Sequence, residues 1–289
     1  MSYLAHVAMC NRHDFANFIS LRAGGAEVGW LRPRLADALR DIDPMFVRTK
    51  RGLELDERLE DFAARSETVA RAVERLSAEA VLPPIRNELY AVAPHFMAPP
   101  VFQLDRGSVP SFGTLAYGVH VNGYVKRGDG GLDLWIGRRA PTQKLCPDML
   151  DNMVAGGLPI GIAPIDNVVK EAQEEAAVPE MLARKARLVS TVRYVMETDE
   201  GLRRDALFCY DLELPADFTP ENTDGEVAEF RRFPAEEVKE IVRETYRFKF
   251  NCNLVILDFL IRHGLLTQEE VDLNAVRKGM GQNHGRHAA

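Results

Sequence analysis

Apolar residues recur along residues 57–82 at Leu59, Phe62, Ala63, Val69, Val73, Leu76 and Ala80, with Arg and Glu between them. That spacing predicts an amphipathic helix, stopped by Pro83-Pro84, whose rings cannot donate and restrict the residue before them. Residues 12–21 read as an earlier helix ended by Gly24-Gly25, with short extended pieces at Gly29-Trp30-Leu31 and residues 46–55. The first part of the chain, residues 1–110, is therefore expected to be a mainly helical domain.

The pattern changes after a proline-rich, irregular stretch at 94–110, which places a domain boundary around residues 107–113. Residues 117–126 and 132–138 are β-like runs joined by the loop Arg127-Gly128-Asp129-Gly130-Gly131. A strong helix follows at 165–177, then strands at 188–195 and 206–214 around a turn at Asp199-Glu200-Gly201, and a short strand at 228–233. Helices are expected at 235–244 and 254–263, the second capped by Asn251 or Asn253 and ended by Gly264. Mixed strands with helices between and after them give an α/β (α+β) second domain over residues 111–275, with a polar, mobile tail at 276–289.

Composition narrows the classes. The chain has 289 residues, 36 Lys and Arg against 43 Asp and Glu, a formal charge of −7, and 46% hydrophobic residues. A net-acidic chain is a poor ligand for a phosphate backbone, so no nucleic-acid partner is expected. No run approaches the ~20 apolar residues that span a bilayer, and the N-terminus lacks a secretory pattern. Cys10, Cys146, Cys209 and Cys252 are scattered and form no zinc-like spacing. Reduced thiols in a cytoplasmic protein, with no membrane partner, are the expectation.

The chemistry concentrates in Gly156-Gly157-Leu158-Pro159-Ile160-Gly161-Ile162-Ala163-Pro164 and the helix that follows. Pro164 suits a first helical position, where its missing N–H has no partner to lose. Ile165, Val168, Val169, Ala172 and Ala176 fall on one helical face, and Glu171, Glu174 and Glu175 on another. Carboxylates at i, i+3 and i+4 repel one another, and in the C-terminal half of a helix the macrodipole disfavours them as well. A cation between them removes the conflict. Oxygen donors without Cys or His favour Mg²⁺ or Mn²⁺ over zinc, and Lys170 is placed to orient a neighbouring carboxylate. The plainer alternative is a solvated acidic face.

These residues resemble the Nudix hydrolase signature: G, five residues, E, seven residues, R-E, an aliphatic, any residue, E-E, any residue, G, an aliphatic. Gly156, Glu171, Ala172, Glu174, Glu175 and Val178 match it, and Lys170 stands for the arginine. Ile162 replaces the first glutamate and Ala177 the late glycine. The resemblance implies a mixed sheet sandwiched between helices, a loop–helix–loop site, and hydrolysis of a small-molecule diphosphate. It also implies that Glu171, Glu174 and Glu175 hold the metal, joined by a backbone carbonyl of Ala155 or Gly156. A narrower resemblance, to the thiamine pyrophosphokinase-related Nudix branch, runs through residues 117–125, 134–139, 147–152, Asn87-Glu88-Leu89-Tyr90 and 248–253. It implies a helical N-terminal region and diphosphates of thiamine or its damaged analogues as substrates.

A metal so held would neutralise diphosphate oxygens and acidify a bound water. Glu174 is one candidate general base; Glu226 and Glu229, in a later acidic loop, are others, with Lys170 assisting. Gly156 and Gly157 permit backbone to approach a phosphate. Arg138 and Arg139 can fork onto phosphate, but strand alternation lets only one of them face the site. His120 reads as a structural strand histidine, and Tyr117, Tyr124 and Trp135 as packing aromatics before stacking ones. A Nudix-fold module that binds a diphosphate without turnover is the alternative to an enzyme, and a homodimer is left open.

Overall fold

The computed structural model describes residues 2–282. Its elements run α1 (Tyr3–Cys10), β1 (Ile19–Ala23), β2 (Ala26–Leu31), α2 (Pro33–Ile42), β3 (Phe46–Thr49), β4 (Gly52–Leu55), α3 (Phe62–Ala78), β5 (Leu89–Val92), β6 (Phe102–Asp105) and α4 (Val109–Phe112). They continue with β7 (Leu115–Lys126), β8 (Leu132–Arg139), β9 (Leu150–Asn152), β10 (Val154–Gly157), α5 (Pro164–Ala176), α6 (Glu180–Ala183), β11 (Arg187–Thr198), β12 (Gly201–Glu213), β13 (Val227–Pro234), α7 (Ala235–Glu244), α8 (Cys252–Arg262) and α9 (Leu273–Gly279). No helix among the described residues is long and apolar enough to cross a membrane.

The N-terminal region holds a four-stranded sheet, ordered β2-β1-β4-β3, as well as its helices. The helix expected at 12–21 is instead a single 3-10 turn, Phe15–Asn17, followed by β1. Its physical reason is the pair Gly24-Gly25, both at positive φ, which closes a tight hairpin to β2 instead of ending a helix. Leu21 and Ala23 then alternate into the core beside Val28, Leu31, Phe46 and Leu53. The helix expected over 57–82 is shorter. It starts at Phe62, where the Asp61 side chain accepts the Ala64 N–H, and ends at Ala78 with Ala80 left-handed at φ 55°, before the prolines.

The second sheet has seven strands, with β11-β12-β7-β8-β13 as its path, β10 paired to β7 and β9 to β8. β12 and β7 are parallel and the other pairs antiparallel, so the sheet is mixed. Val119, Val121, Tyr210 and Leu212 on one face meet Val168, Val169, Ala172 and Ala176 of α5. Leu134, Ile136, Val192 and Cys209 on the other meet α7 and α8. The result is the expected mixed sheet between helices. Asn251 occupies the cap position of α8 but makes no side-chain cap bond there; Asn253 instead ties carbonyls of the preceding loop.

Three long-range features depart from the expected division of the chain. Tyr3, Val7 and Cys10 of α1 pack in the core of the second sheet, not with the N-terminal sheet. The boundary segment at 107–113 is buried instead of an open linker, with Phe112 fully enclosed. The start of the expected mobile tail is anchored: Val276 and Met280 are buried, and the Met280 carbonyl accepts the Arg193 N–H. Residues 283–289 of that tail lie outside the described residues.

Candidate active site

β10 runs antiparallel to β7, setting Ala155 opposite His120, Gly156 opposite Val119 and Gly157 opposite Gly118. The chain then loops to α5, tied by Leu158 N–H to the Tyr117 carbonyl (2.9 Å) and by the Asn167 side-chain amide to the Gly157 carbonyl (2.8 Å). Gly161, at φ 84°, makes the bend before Pro164. α5 ends at Ala177, left-handed at φ 50°, with Val178 N–H returning to the Ala172 carbonyl. The late position of the signature therefore keeps the turn that a glycine takes most easily, although alanine occupies it.

This frame brings the carboxylates to β10. The Glu171 carboxylate packs over Gly156 so closely that any side chain there would collide with it. Glu175 is buried, and its Oε2 accepts the Ala155 backbone N–H at 2.9 Å. Glu174 is exposed, and Lys170 Nζ reaches it at 2.8 Å and Glu171 at 3.3 Å. Burial pushes the Glu175 carboxyl well above the usual range, and the charges of Asp151, Glu171 and Glu226 add to this against the Ala155 hydrogen bond. Burial likewise raises Glu171, opposed by Lys170. A buried carboxyl with the charges of other carboxylates around it fits a hard divalent cation, which would replace the proton that burial otherwise favours.

The remaining expected residues divide. Arg139 and Glu226 line a recess with Glu175, Ala155, Asp151 and Asn152. Arg138 and Glu229 are not brought there: they pair with each other at 2.9 Å, and Arg138 also holds Asp148 at 2.7 Å. Cross-strand register explains this, since Glu229 sits opposite Arg138 and Val227 opposite Arg139.

Several residues without an expected role line the recess or stand behind it. Asp151 is buried between Arg139 (2.8 Å), Lys249 (3.5 Å) and the Cys252 thiol, which donates to it (2.6 Å). Burial opposes its ionisation, but Lys249, His120 and Arg139 hold its pKa down to about 2. His120, Asp151 and Cys252 lie close enough to share a metal ion; with Lys249 and Arg139 already neutralising Asp151, a further cation is electrostatically disfavoured there. His120 bonds the Asn152 side-chain oxygen at 2.9 Å, Asn152 donates to Asn122, and Asn122 to Asp211. Burial, with Lys249, lowers the His120 pKa to about 4, which leaves a neutral structural histidine. Tyr117 packs against Phe96 and Phe208, and Tyr124 against Phe259 and His263. The segments 147–152 and 248–253 carried the only sequence signal for Asp151 and Lys249, through the narrower resemblance; nothing in their local pattern marks burial.

Comparison with known proteins identifies the setting. Residues 2–116 match the family described as "Domain of unknown function (DUF4743)". Nudix hydrolase 24, chloroplastic, of Arabidopsis thaliana is 43% identical over 271 residues, 92% of this chain and 74% of that protein. Nudix hydrolase 20, chloroplastic, of the same plant is 41% identical over 278 residues, with the same coverage. The NUDIX domain of Shewanella oneidensis NrtR, crystallised with ADP ribose, is similar over 54% of this chain and 92% of that one (TM-score 0.41, 14% identity). The expected cytoplasmic location does not stand, because both Arabidopsis relatives are chloroplastic proteins. With its carboxylate helix docked on a glycine strand and relatives of that identity over nearly its whole length, this chain belongs to the Nudix hydrolases, enzymes that act on diphosphate bonds.

Proposed function

We propose that this protein is a Mg²⁺-dependent (or Mn²⁺-dependent) diphosphatase of a small molecule, with thiamine diphosphate and related analogues as the substrate class. The observation that carries the metal-dependent reading is Glu175, buried, fixed on the Ala155 N–H and adjoining Glu171 across Gly156. Glu171, Glu174 and Glu175, with a backbone carbonyl of Ala155, hold the cation; Lys170 orients Glu171 and Glu174. When bound, the ion neutralises diphosphate oxygens and lowers the pKa of water. Glu226, on the recess beside Glu175, or the exposed Glu174 accepts the proton of the attacking water. Arg139 lines the recess but is held by Asp151, and Gly156 and Gly157 are covered by Glu171 and Tyr90.

The substrate class rests on the narrower resemblance, two of whose segments lie beside the site. Tyr90 lies against Gly157, and Lys249 lies against Asp151 behind the recess. The half-buried Ile162, where the signature has glutamate, favours the second reading, a module that binds without turnover. One assay separates them: phosphate release from thiamine diphosphate and nucleoside diphosphates with Mg²⁺, Mn²⁺ or chelator. Metal-dependent release, lost in Glu174→Gln and Glu175→Gln with the fold retained, is the expected result. Binding of diphosphate without release at any metal concentration would establish the second reading, and undiminished release by both variants would remove the assigned carboxylates from the chemistry.

A further inference from the structure

We propose that the N-terminal domain supplies the second wall of the diphosphate site, with Arg106 as a substrate-binding cation. This rests on the diphosphatase reading of Glu171, Glu174 and Glu175 and adds a residue that lies outside the Nudix signature.

The β5–β6 hairpin is joined to the active-site loop through the Ile160 N–H, which donates to the Leu89 carbonyl at 2.8 Å. Tyr90, the next residue on β5, is buried, and its hydroxyl fills the space where Gly157 has no side chain. The Arg106 guanidinium carbon lies 3.6 Å from that same position. Successive strand residues face opposite ways. Gly156 is thus covered by Glu171 of the metal-binding helix, and Gly157 by Tyr90 and Arg106 of the N-terminal domain. β10 pairs with β7, and no strand pairs with its other edge among the described residues. Bare backbone therefore separates the acidic side of the site from a basic one.

Four other cations placed above are committed. Arg139 and Lys249 neutralise the buried Asp151, Lys170 bridges Glu171 and Glu174, and Arg138 is held by Glu229 and Asp148. Arg106 has one ion-pair partner among the described residues, Glu88 at 2.6 Å, and its side chain is 42% exposed. An ion pair that open to solvent is weak and easily exchanged. A diphosphate offers the guanidinium a denser anion and two parallel hydrogen bonds, so Arg106 leaves Glu88 for the substrate.

Imidodiphosphate, a non-hydrolysable diphosphate, titrated calorimetrically into the full-length chain with saturating Mg²⁺, tests this. Arg106→Ala should weaken binding about 10- to 100-fold and raise KM with kcat largely kept, as expected for loss of a charged hydrogen bond. Its affinity for Mg²⁺ alone should match the parent. Arg106→Lys should fall between the two, and Glu88→Gln, which releases the guanidinium, should tighten binding. Parent-like binding by Arg106→Ala and Arg106→Lys, with the parent binding and hydrolysing normally, overturns the Arg106 assignment alone. A parent that binds no imidodiphosphate overturns the diphosphatase reading and this inference with it. Should Arg106→Ala fail to fold, the Lys and Glu88 variants decide: unchanged affinity in both overturns the role.

Discussion

Glu175 and Ala155 are joined by a 2.9 Å hydrogen bond in which a buried carboxylate accepts from the backbone of the strand beneath it. One bond thereby fixes the height of α5 over β10 and points an otherwise costly anion at the recess shared with Glu226. Structure and function pull in opposite directions at this residue, because burial favours its neutral form and metal binding requires its charged one.

That opposition makes Glu175→Gln informative in two assays. The amide oxygen still accepts the Ala155 N–H, so the fold should be kept while hydrolysis falls by on the order of 100-fold or more. The parent carboxyl titrates higher in the folded state than in the unfolded chain. Its stabilising contribution is therefore present below the ordinary Glu range and lost as pH rises through the folded pKa. Without metal, the variant should melt above the parent at neutral pH, with the gap closing toward pH 4.5. Mg²⁺ should raise the parent's melting temperature and not the variant's. A metal-free gap that is constant with pH would refute this account.

Ala177→Gly should stabilise the protein. At φ 50° an alanine side chain crowds its own backbone, at a cost of about 1–2 kcal/mol, part of which glycine returns through its freer unfolded state. A net gain of about 1 kcal/mol corresponds to a melting point higher by roughly 1–2 °C in a chain of this size. Turnover should be unchanged, since the helix end already has the required turn. A lower melting point for the variant would show that the alanine makes packing contacts that outweigh the strain.

His120 predicts acid sensitivity in the core. Burial is the main cause of its lowered pKa, helped by Lys249 and Arg139 and opposed by Asp151 and the Asn152 hydrogen bond. Because the unfolded histidine binds protons more readily, stability is intact above about pH 6.5 and declines as pH falls toward about 4. Complete titration corresponds to on the order of 3 kcal/mol. Urea midpoints measured at pH 7.5 and pH 5 should drop less for His120→Gln than for the parent, although His6, buried with its Nε2 at 2.7 Å from the Val242 carbonyl, adds a smaller slope to both. Equal drops would assign the sensitivity elsewhere.

What could be read in advance follows the range of the forces involved. α5 was legible because its apolar stripe, Pro164 start and carboxylate spacing all lie within a dozen residues. β1 was not, since a five-residue apolar alternation before Gly24-Gly25 fits a helix end as readily as a hairpin until Leu31 pairs back onto Ile19. The three glutamates could be placed on one side of a helix, yet their spacing does not say that Glu175 is buried and Glu174 exposed; the docking angle on β10 decides that. Asp151, Lys249 and Arg106 gave no local signal at all, because each acquires its partners from sequence-distant elements. The same holds for α1, whose Tyr3 and Val7 complete a core built more than a hundred residues later.

The contact between Tyr90 and Gly157 can be measured as a coupling. Adding a methyl at position 157 drives it into the Tyr90 hydroxyl, so Gly157→Ala should destabilise the chain by about 1–3 kcal/mol, the usual cost of overpacking. Tyr90→Phe alone removes the hydroxyl and leaves the ring in the core that it shares with Val92 and Phe102. In that background the methyl meets only the ring edge, and its cost should shrink by at least about 0.5 kcal/mol, a non-additivity typical of touching residues. Turnover should follow the same pattern, because the methyl pushes the hairpin off the glycine strand beside Glu171. If Gly157→Ala costs the same with Tyr and with Phe at position 90, the β5–β6 hairpin does not meet β10 at this glycine and has no purchase on that strand there.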